Sequence, residues 1–287
     1  MTTEVGRFGR YYDTGMIDTQ TEGFLDKLDN PRYLPTLTEV SNRLDFKNLA
    51  RGAFRNSVWT DWDVFQSLLS YSVYEFFTRE HLERLSNYLA GRIDQIGKTK
   101  KAPVVILDPC AGNGRLPYFL DEKLAERMDR GKFKVVASDD RSWTPTKDEN
   151  KEHVYEVANL DYQDATLQFH PHIIVASWIP SSRHSDLKRP QQHRQHRDET
   201  AADWMAFFRA RGIEEQILIG KPDLLTRYDT KSDKLVDASL ECEQDGYQKV
   251  IHDNWQKYQL CAYDRNYHER GTMSTTISFI RQPLPTS

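Results

Sequence analysis

The segment Val104-Val105-Ile106-Leu107-Asp108-Pro109-Cys110-Ala111-Gly112-Asn113-Gly114-Arg115-Leu116 constrains this chain more than any other. Its first four residues are apolar and mostly β-branched, as a strand buried on both faces requires. The run ends in an acid and passes through small residues. It then enters an apolar series at helical spacing, Leu116, Phe119, Leu120, Leu124 and Met128. Gly112 and Gly114 permit a tight turn and a close approach of backbone to ligand. The plainer alternative is that both are simply turn glycines. A buried strand feeding a helix through such a turn is the first half of a β-α-β unit, and repetition of that unit builds a parallel sheet.

The repetition is present. Phe133 to Ala137, His153 to Leu160, Ile173 to Ala176 and Ile217 to Ile219 read as further strands, His153 to Leu160 being the weakest of them. Tyr258 to Tyr263 and Thr275 to Ile280 read as a final strand pair. Trp204, Phe207 and Phe208 lie on a helix opened by Thr200. The expected fold is α/β, a Rossmann-like, doubly wound, seven-stranded and mostly parallel sheet with a helical N-terminal extension. Right-handed crossovers then collect the strand C-termini, and any ligand, along one edge.

Upstream, Trp62, Phe65, Leu69, Val73 and Phe76 predict a helix over 61–76. Thr78 predicts an N-cap, with Glu80 in the first turn. Leu82, Leu85, Leu89, Ile93 and Ile96 continue as a second helix, ended by Gly97 and the basic stretch Lys98 to Lys101. Residues 1–57 are polar and rich in turn signals. They read as an irregular arm with a short helix, whose Phe8, Tyr11, Tyr12 and Tyr33 pack it on the body; a partly disordered tail is the alternative. The division expected is 1–100 for arm and helical extension and 101–287 for the ligand-binding domain.

Composition limits the function classes. With 39 basic and 43 acidic residues the net charge is -4, so binding to nucleic acid or anionic membrane would need a local patch. Cys110, Cys242 and Cys261 are widely spaced and make neither a disulfide framework nor a zinc site, which predicts a reducing compartment. No apolar run approaches the roughly 20 residues of a membrane span. The first residues carry no secretory pattern, and a cytoplasmic location is expected.

The strand-end acids narrow the ligand. Asp139-Asp140 ends the strand after the glycine turn, at about the distance expected of a carboxylate that binds ribose hydroxyls. Solvated strand-end acids are the alternative. A nicotinamide cofactor needs a third glycine where Pro117 stands, and Asp108 would face its pyrophosphate. A P-loop needs Gly-Lys-Ser/Thr, and Gly114 precedes Arg115-Leu116. S-adenosylmethionine, with an ammonium, a sulfonium and a ribose but no phosphate, fits better.

Asp108 to Gly114 resembles motif I of the class I S-adenosylmethionine-dependent methyltransferases, in the Asp-Pro-x-x-Gly-x-Gly form of the amino-group enzymes acting on DNA and RNA. Glu75-Phe76-Phe77-Thr78-Arg79-Glu80 is similar to the Phe-Thr-Pro element of the adenine-N6 type, with Arg79 in place of proline. The resemblance spans about residues 75–281. It implies S-adenosylmethionine as cofactor, held by Phe77, Thr78, Asp108, Cys110, Ala111, Gly112 and Gly114. It places Asp139, with Asp140 beside it, at the ribose and Asp164 at the adenine amino group. Read from the residues alone, Phe77 fits a core position and Asp164 a helix N-cap.

On the substrate side, Ser177-Trp178-Ile179-Pro180 falls where amino methyltransferases carry Asn/Asp/Ser-Pro-Pro-aromatic. Ser177 matches. Trp178 and Ile179 replace both prolines and Pro180 replaces the aromatic, so adenine is not specified. The resemblance makes Ser177, Trp178 and Pro180 the candidate catalytic residues. Trp178 is either a ring for a planar acceptor or the sulfonium, or core filler.

Residues 181–199 hold five Lys/Arg, three Asp/Glu and three His. They read as a solvated insertion, or as a lid or phosphate-contacting arm. His193 and His196 have no convergent partner, so no metal is expected. His184 and Asp186 are conceivable bases with nothing to fix their geometry. The leading expectation is methyl transfer to nitrogen or oxygen of a small-molecule acceptor. The alternatives are an RNA or DNA methyltransferase working through the 181–199 loop, and a catalytically silent scaffold of the same fold.

Overall fold

In the computed structural model the described residues are 23–24, 27–28, 30–43, 75–100, 103–140, 154–177, 179, 201–220, 226–229, 234–261 and 274–283. The chain enters through α1 (Leu37–Arg43), β1 (Glu75–Phe77) and α2 (Arg79–Gly97). It continues with β2 (Val104–Asp108), α3 (Arg115–Ala125), β3 (Phe133–Ser138), β4 (Val157–Ala158), α4 (Tyr162–Phe169) and β5 (Ile173–Ser177). Then come α5 (Ala201–Ala210), β6 (Glu215–Gly220), β7 (Thr226–Asp229), β8 (Lys234–Asp237), α6 (Ala238–Gln244), β9 (Tyr247–Ile251), β10 (Gln259–Cys261) and β11 (Thr275–Arg281).

Seven strands form one sheet in the order β4-β3-β2-β5-β6-β11-β9. The first five are mutually parallel, and β11 runs antiparallel between β6 and β9. The expected doubly wound sheet is therefore present. Its two faces alternate along each strand. Ile106, Val135, Val175 and Ile217 turn to α2 and α3, which supply Leu82, Leu85, Leu89, Leu116 and Leu120. Leu107, Val136, Ile174 and Ala176 turn to α4 and α5, which supply Tyr162, Ala165 and Phe208. Full burial on both faces accounts for the unbroken apolar runs.

The direction of winding reverses between β2 and β5, and there the ladder is short. β2 pairs with β5 at Ile106↔Ile173 and Leu107↔Ile174, whereas its pairing with β3 extends to Asp108↔Ala137. A crevice at the carboxyl edge follows from this reversal.

Three sequence expectations are corrected. Phe76 does not end a helix: Glu75–Phe77 is a strand antiparallel to Gln259–Cys261. The remainder of the 61–76 prediction, residues 61–74, lies outside the described residues. Second, the strand expected over 153–160 contracts to Val157–Ala158, because Val154 and Tyr155 instead pack against the glycine turn. Third, β11 pairs with Tyr247–Ile251, whereas Gln259–Cys261 of the expected 258–263 strand pairs with β1 and residues 262–263 lie outside the described residues. The true partner is an edge strand with only Tyr247 fully buried, so its Gln248 and Lys249 hid it from an apolar search.

Thr78 does cap α2, its hydroxyl accepting from the His81 amide at 3.2 Å. Within the arm, Thr36 and Glu39 form a reciprocal capping box on α1, and Leu34 packs on the main core. Phe8, Tyr11 and Tyr12 lie outside the described residues.

Candidate functional site

Hydrogen bonds pin the glycine turn at each of its residues from Ala111 to Gly114. The Ala111 amide donates to the Ser138 carbonyl at 3.0 Å, and the Gly114 amide to the Ala111 carbonyl at 2.8 Å. The Asn113 carbonyl accepts from Val154, and its side-chain oxygen accepts from the Arg115 amide. The Gly112 amide donates to Asp139 Oδ2 at 2.9 Å. Asp139 is itself held, its amide donating to the Ala158 carbonyl at 3.0 Å. The ends of β2, β3 and β4 are thus one hydrogen-bonded unit.

The two glycines serve different needs. Gly114 has φ +82°, and a Cβ there would stand 2.8 Å from Tyr155 Cβ and 3.0 Å from Val157 Cγ2. Gly112 has φ +55°, and a Cβ there would meet nothing within 4 Å. One glycine admits the neighbouring strand, and the other faces open space above the turn.

Asp108 is buried beneath that turn, 2% exposed, and accepts from the Cys110 amide at 3.2 Å. Burial pushes its carboxyl up to about 8, the Cys110 amide opposes this, and the charge of Asp139 adds to it. Cys110 spans the crevice: its thiol donates to the Ser177 carbonyl across 3.5 Å, joining the ends of β2 and β5. Burial, with Asp108 and Asp139 nearby, drives that thiol well above its usual range.

The structure therefore brings Asp108, Cys110, Ala111, Gly112, Gly114, Asp139 and Ser177 together at one edge. Asp140 follows Asp139 and is exposed. Asp164 is exposed in the first turn of α4 and is not that helix's N-cap. The cap is Asp161, whose Oδ1 accepts from the Gln163 and Asp164 amides. Phe77 is buried in the main core, its ring 6.2 Å from that of His81. The Thr78 hydroxyl is committed twice, to the His81 amide and to the Tyr258 carbonyl at 2.9 Å. Trp178, Pro180 and the 181–199 loop, with His184, Asp186, His193 and His196, lie outside the described residues; Ile179 between Trp178 and Pro180 is buried.

Residue-type reasoning passed over Arg115. It is 5% exposed, directly follows Gly114, and donates to the Tyr33 carbonyl at 2.7 Å. The available signal was the arm's Thr36-x-x-Glu39 capping box, which marks ordered structure beside it. Among the described residues no group of three or more His, Cys, Asp or Glu is placed to hold a metal ion. No helix among them is long and apolar enough to cross a membrane.

No protein-family model matches the chain, and no curated protein is similar to it in sequence. Solved structures of similar fold include two methyltransferases and a restriction endonuclease. Magnesium protoporphyrin IX methyltransferase of Synechocystis PCC 6803, crystallised with bound S-adenosylmethionine, is 11% identical with TM-score 0.36. That match covers 83% of this chain and 98% of the other. A Listeria monocytogenes protein described as a class I S-adenosylmethionine-dependent methyltransferase is 10% identical with TM-score 0.40, covering 96% and 90%. The type IIG restriction endonuclease BpuSI is 14% identical with TM-score 0.36; the match covers 86% of this chain and 28% of BpuSI.

Proposed function

We propose that this protein is an S-adenosylmethionine-dependent methyltransferase acting on nitrogen or oxygen of a small-molecule acceptor. The observation that carries the reading is the acid pair around the glycine turn. The Gly112 amide, which would cradle a phosphate in a dinucleotide site, already donates to the Asp139 carboxylate, and Asp108 lies beneath. Such a turn repels phosphate and suits a ligand offering an ammonium and ribose hydroxyls. Open space above Gly112 leaves room for that ligand, so the residues present fit S-adenosylmethionine.

When bound, S-adenosylmethionine supplies a methyl group on a sulfonium that already has a good leaving group. The chain's own work is then binding, alignment and exclusion of water. Asp139 holds ribose hydroxyls, with Asp140 beside it. Asp108 offers a buried carboxylate whose ionisation a cationic ligand favours. Ala111, Gly112 and Gly114 shape the floor, and Asp161 or Asp164 faces the adenine end. Across the crevice the Ser177 hydroxyl orients the acceptor, and Trp178 and Pro180, which follow it in the sequence, are the further candidates of the acceptor motif. The helical segment up to about residue 100 borders this cofactor half, and 101–287 forms the binding domain proper.

A small-molecule acceptor is favoured by the balanced charge and by the loss of both prolines of the adenine-type acceptor motif. Calorimetric titration with S-adenosylmethionine and its demethylated product, with NAD as control, tests the cofactor. Binding of both sulfur compounds and not NAD is expected; binding of neither rejects the reading. Acceptor pools of small molecules, RNA and DNA then test the acceptor. Methylation confined to nucleic acid, with an affinity falling steeply in salt, would move the assignment to the 181–199 loop.

A further inference from the structure

Three tethers attach the segment Tyr33–Leu37 to the helices that begin at the carboxyl edge. The Arg115 guanidinium donates to the Tyr33 carbonyl at 2.7 Å. The Arg79 amide donates to the Pro35 carbonyl at 2.8 Å. The Leu37 amide donates to Glu80 Oε2 at 2.9 Å. The first tether is on α3 and the other two are on α2. Both helices start at the carboxyl edge and pack on the same face of the sheet. The segment therefore bridges two helix starts beside the glycine turn.

The segment is also built to hold its shape. Asn30 and Tyr33 close a turn, the Tyr33 amide donating to the Asn30 carbonyl at 2.9 Å. Thr36 and Glu39 exchange capping bonds, and the Tyr33 hydroxyl donates to Glu39 Oε1 at 2.8 Å. Arg32 stands over the Tyr118 ring at 5.9 Å, adding a second contact to α3. Leu34 packs on the main core and Pro35 is buried.

Arg115 is the joint between segment and turn. It is the residue after Gly114, so any displacement of its backbone displaces the turn. Its side chain is buried over the Phe119 ring, 5.6 Å from ring centroid to guanidinium carbon, and its charge is oriented on a carbonyl dipole of the segment. We propose that Arg115 is a positioning residue, locking the Gly112–Gly114 turn in its ligand-binding form by anchoring it to residues 33–37. Those residues are a structural wall of the cofactor site. By linkage, a ligand that favours the ordered turn also tightens the docking of the segment. The identity of the ligand rests on the methyltransferase reading.

The experiment compares wild type, Arg115→Ala, Arg115→Lys and Glu80→Ala in the full chain, each titrated calorimetrically with S-adenosylmethionine. Arg115→Ala should raise Kd by about tenfold or more, as loss of a charge-assisted hydrogen bond would. Arg115→Lys restores part of it, since an ammonium reaches one carbonyl but lacks the planar contact with Phe119. Glu80→Ala, which frees only the Leu37 end, raises Kd by a smaller factor. Limited trypsin digestion gives an independent readout: the ligand should slow cleavage after Arg32 and Arg43 in wild type and lose that effect in Arg115→Ala. Unchanged Kd in Arg115→Ala, whatever its melting temperature, overturns the positioning role. Where Arg115→Ala fails to fold, a wild-type Kd in Glu80→Ala does the same. A wild type that binds no S-adenosylmethionine overturns the methyltransferase reading itself, before any substitution is made.

Discussion

Across the crevice, the two halves of the carboxyl edge differ in charge and in restraint. β2 and β3 end in Asp108 and Asp139, and the turn above them is held by bonds from Gly112, Ala111, Asn113 and Gly114. β5 and β6 end in Ser177 and Gly220, and Ser177 meets the other half through the Cys110 thiol. The acidic half dictates its partner, because buried or hydrogen-bonded carboxylates demand cations or hydroxyls. The neutral half imposes no such demand. One half of the edge can therefore be read for ligand chemistry, while the other, on the proposed function, specifies only that an acceptor must fit.

The sharpest way to break this contrast is Gly114→Ala. Positive φ and a Cβ 2.8 Å from Tyr155 make the cost on the order of 1–3 kcal/mol, and the turn with its ligand affinity should be lost. Gly112→Ala, with open space before it, should cost about 1 kcal/mol in stability while still weakening the ligand. Denaturation and calorimetry on the pair separate the two roles. Next in size, Asp139→Ala should weaken S-adenosylmethionine by about 1.5–3 kcal/mol, ten- to a hundredfold in Kd. An unchanged Kd would remove the ribose assignment.

The buried acid gives a pH signature that the neutral half lacks. With its carboxyl raised to about 8, folded Asp108 keeps a proton that the unfolded chain has lost. Its contribution therefore makes the ligand-free protein less stable as pH rises from about 4 to about 8, levelling above that. Asp108→Asn should remove this slope, on the order of several °C in Tm across the window. His81 has the opposite sign: burial, aided by His252, lowers it to about 3, so its stabilisation is lost as pH falls from about 6.5 toward 3. In Asp108→Asn that acid limb should persist. The smallest effect belongs to the neutral half. Ser177→Ala should lower kcat by up to about tenfold and leave the Kd for S-adenosylmethionine unchanged, as loss of one neutral hydrogen bond to the acceptor would.

Legibility followed burial and locality. Val104–Asp108, Phe133–Ser138 and Ile173–Ser177 were readable because strands covered on both faces must be continuously apolar. The N-cap at Thr78 was readable because it acts within three residues. Tyr247–Ile251 was not, because an edge strand half open to water carries Gln and Lys without penalty. Asp161, rather than Asp164, caps α4, and one helical turn of displacement is beyond what spacing alone resolves.

By itself the sequence determined the alternating architecture, the glycine turn and the acids at the strand ends, since each follows from local periodicity or from the residues adjoining the turn. Only the tertiary structure decided that Asp139 closes on Gly112, that Cys110 reaches the Ser177 carbonyl, and that Arg115 reaches back to Tyr33. Those pairs are separated by 27, 67 and 82 residues. Such contacts depend on which strands become neighbours, and a pattern of hydrophobicity does not encode that order.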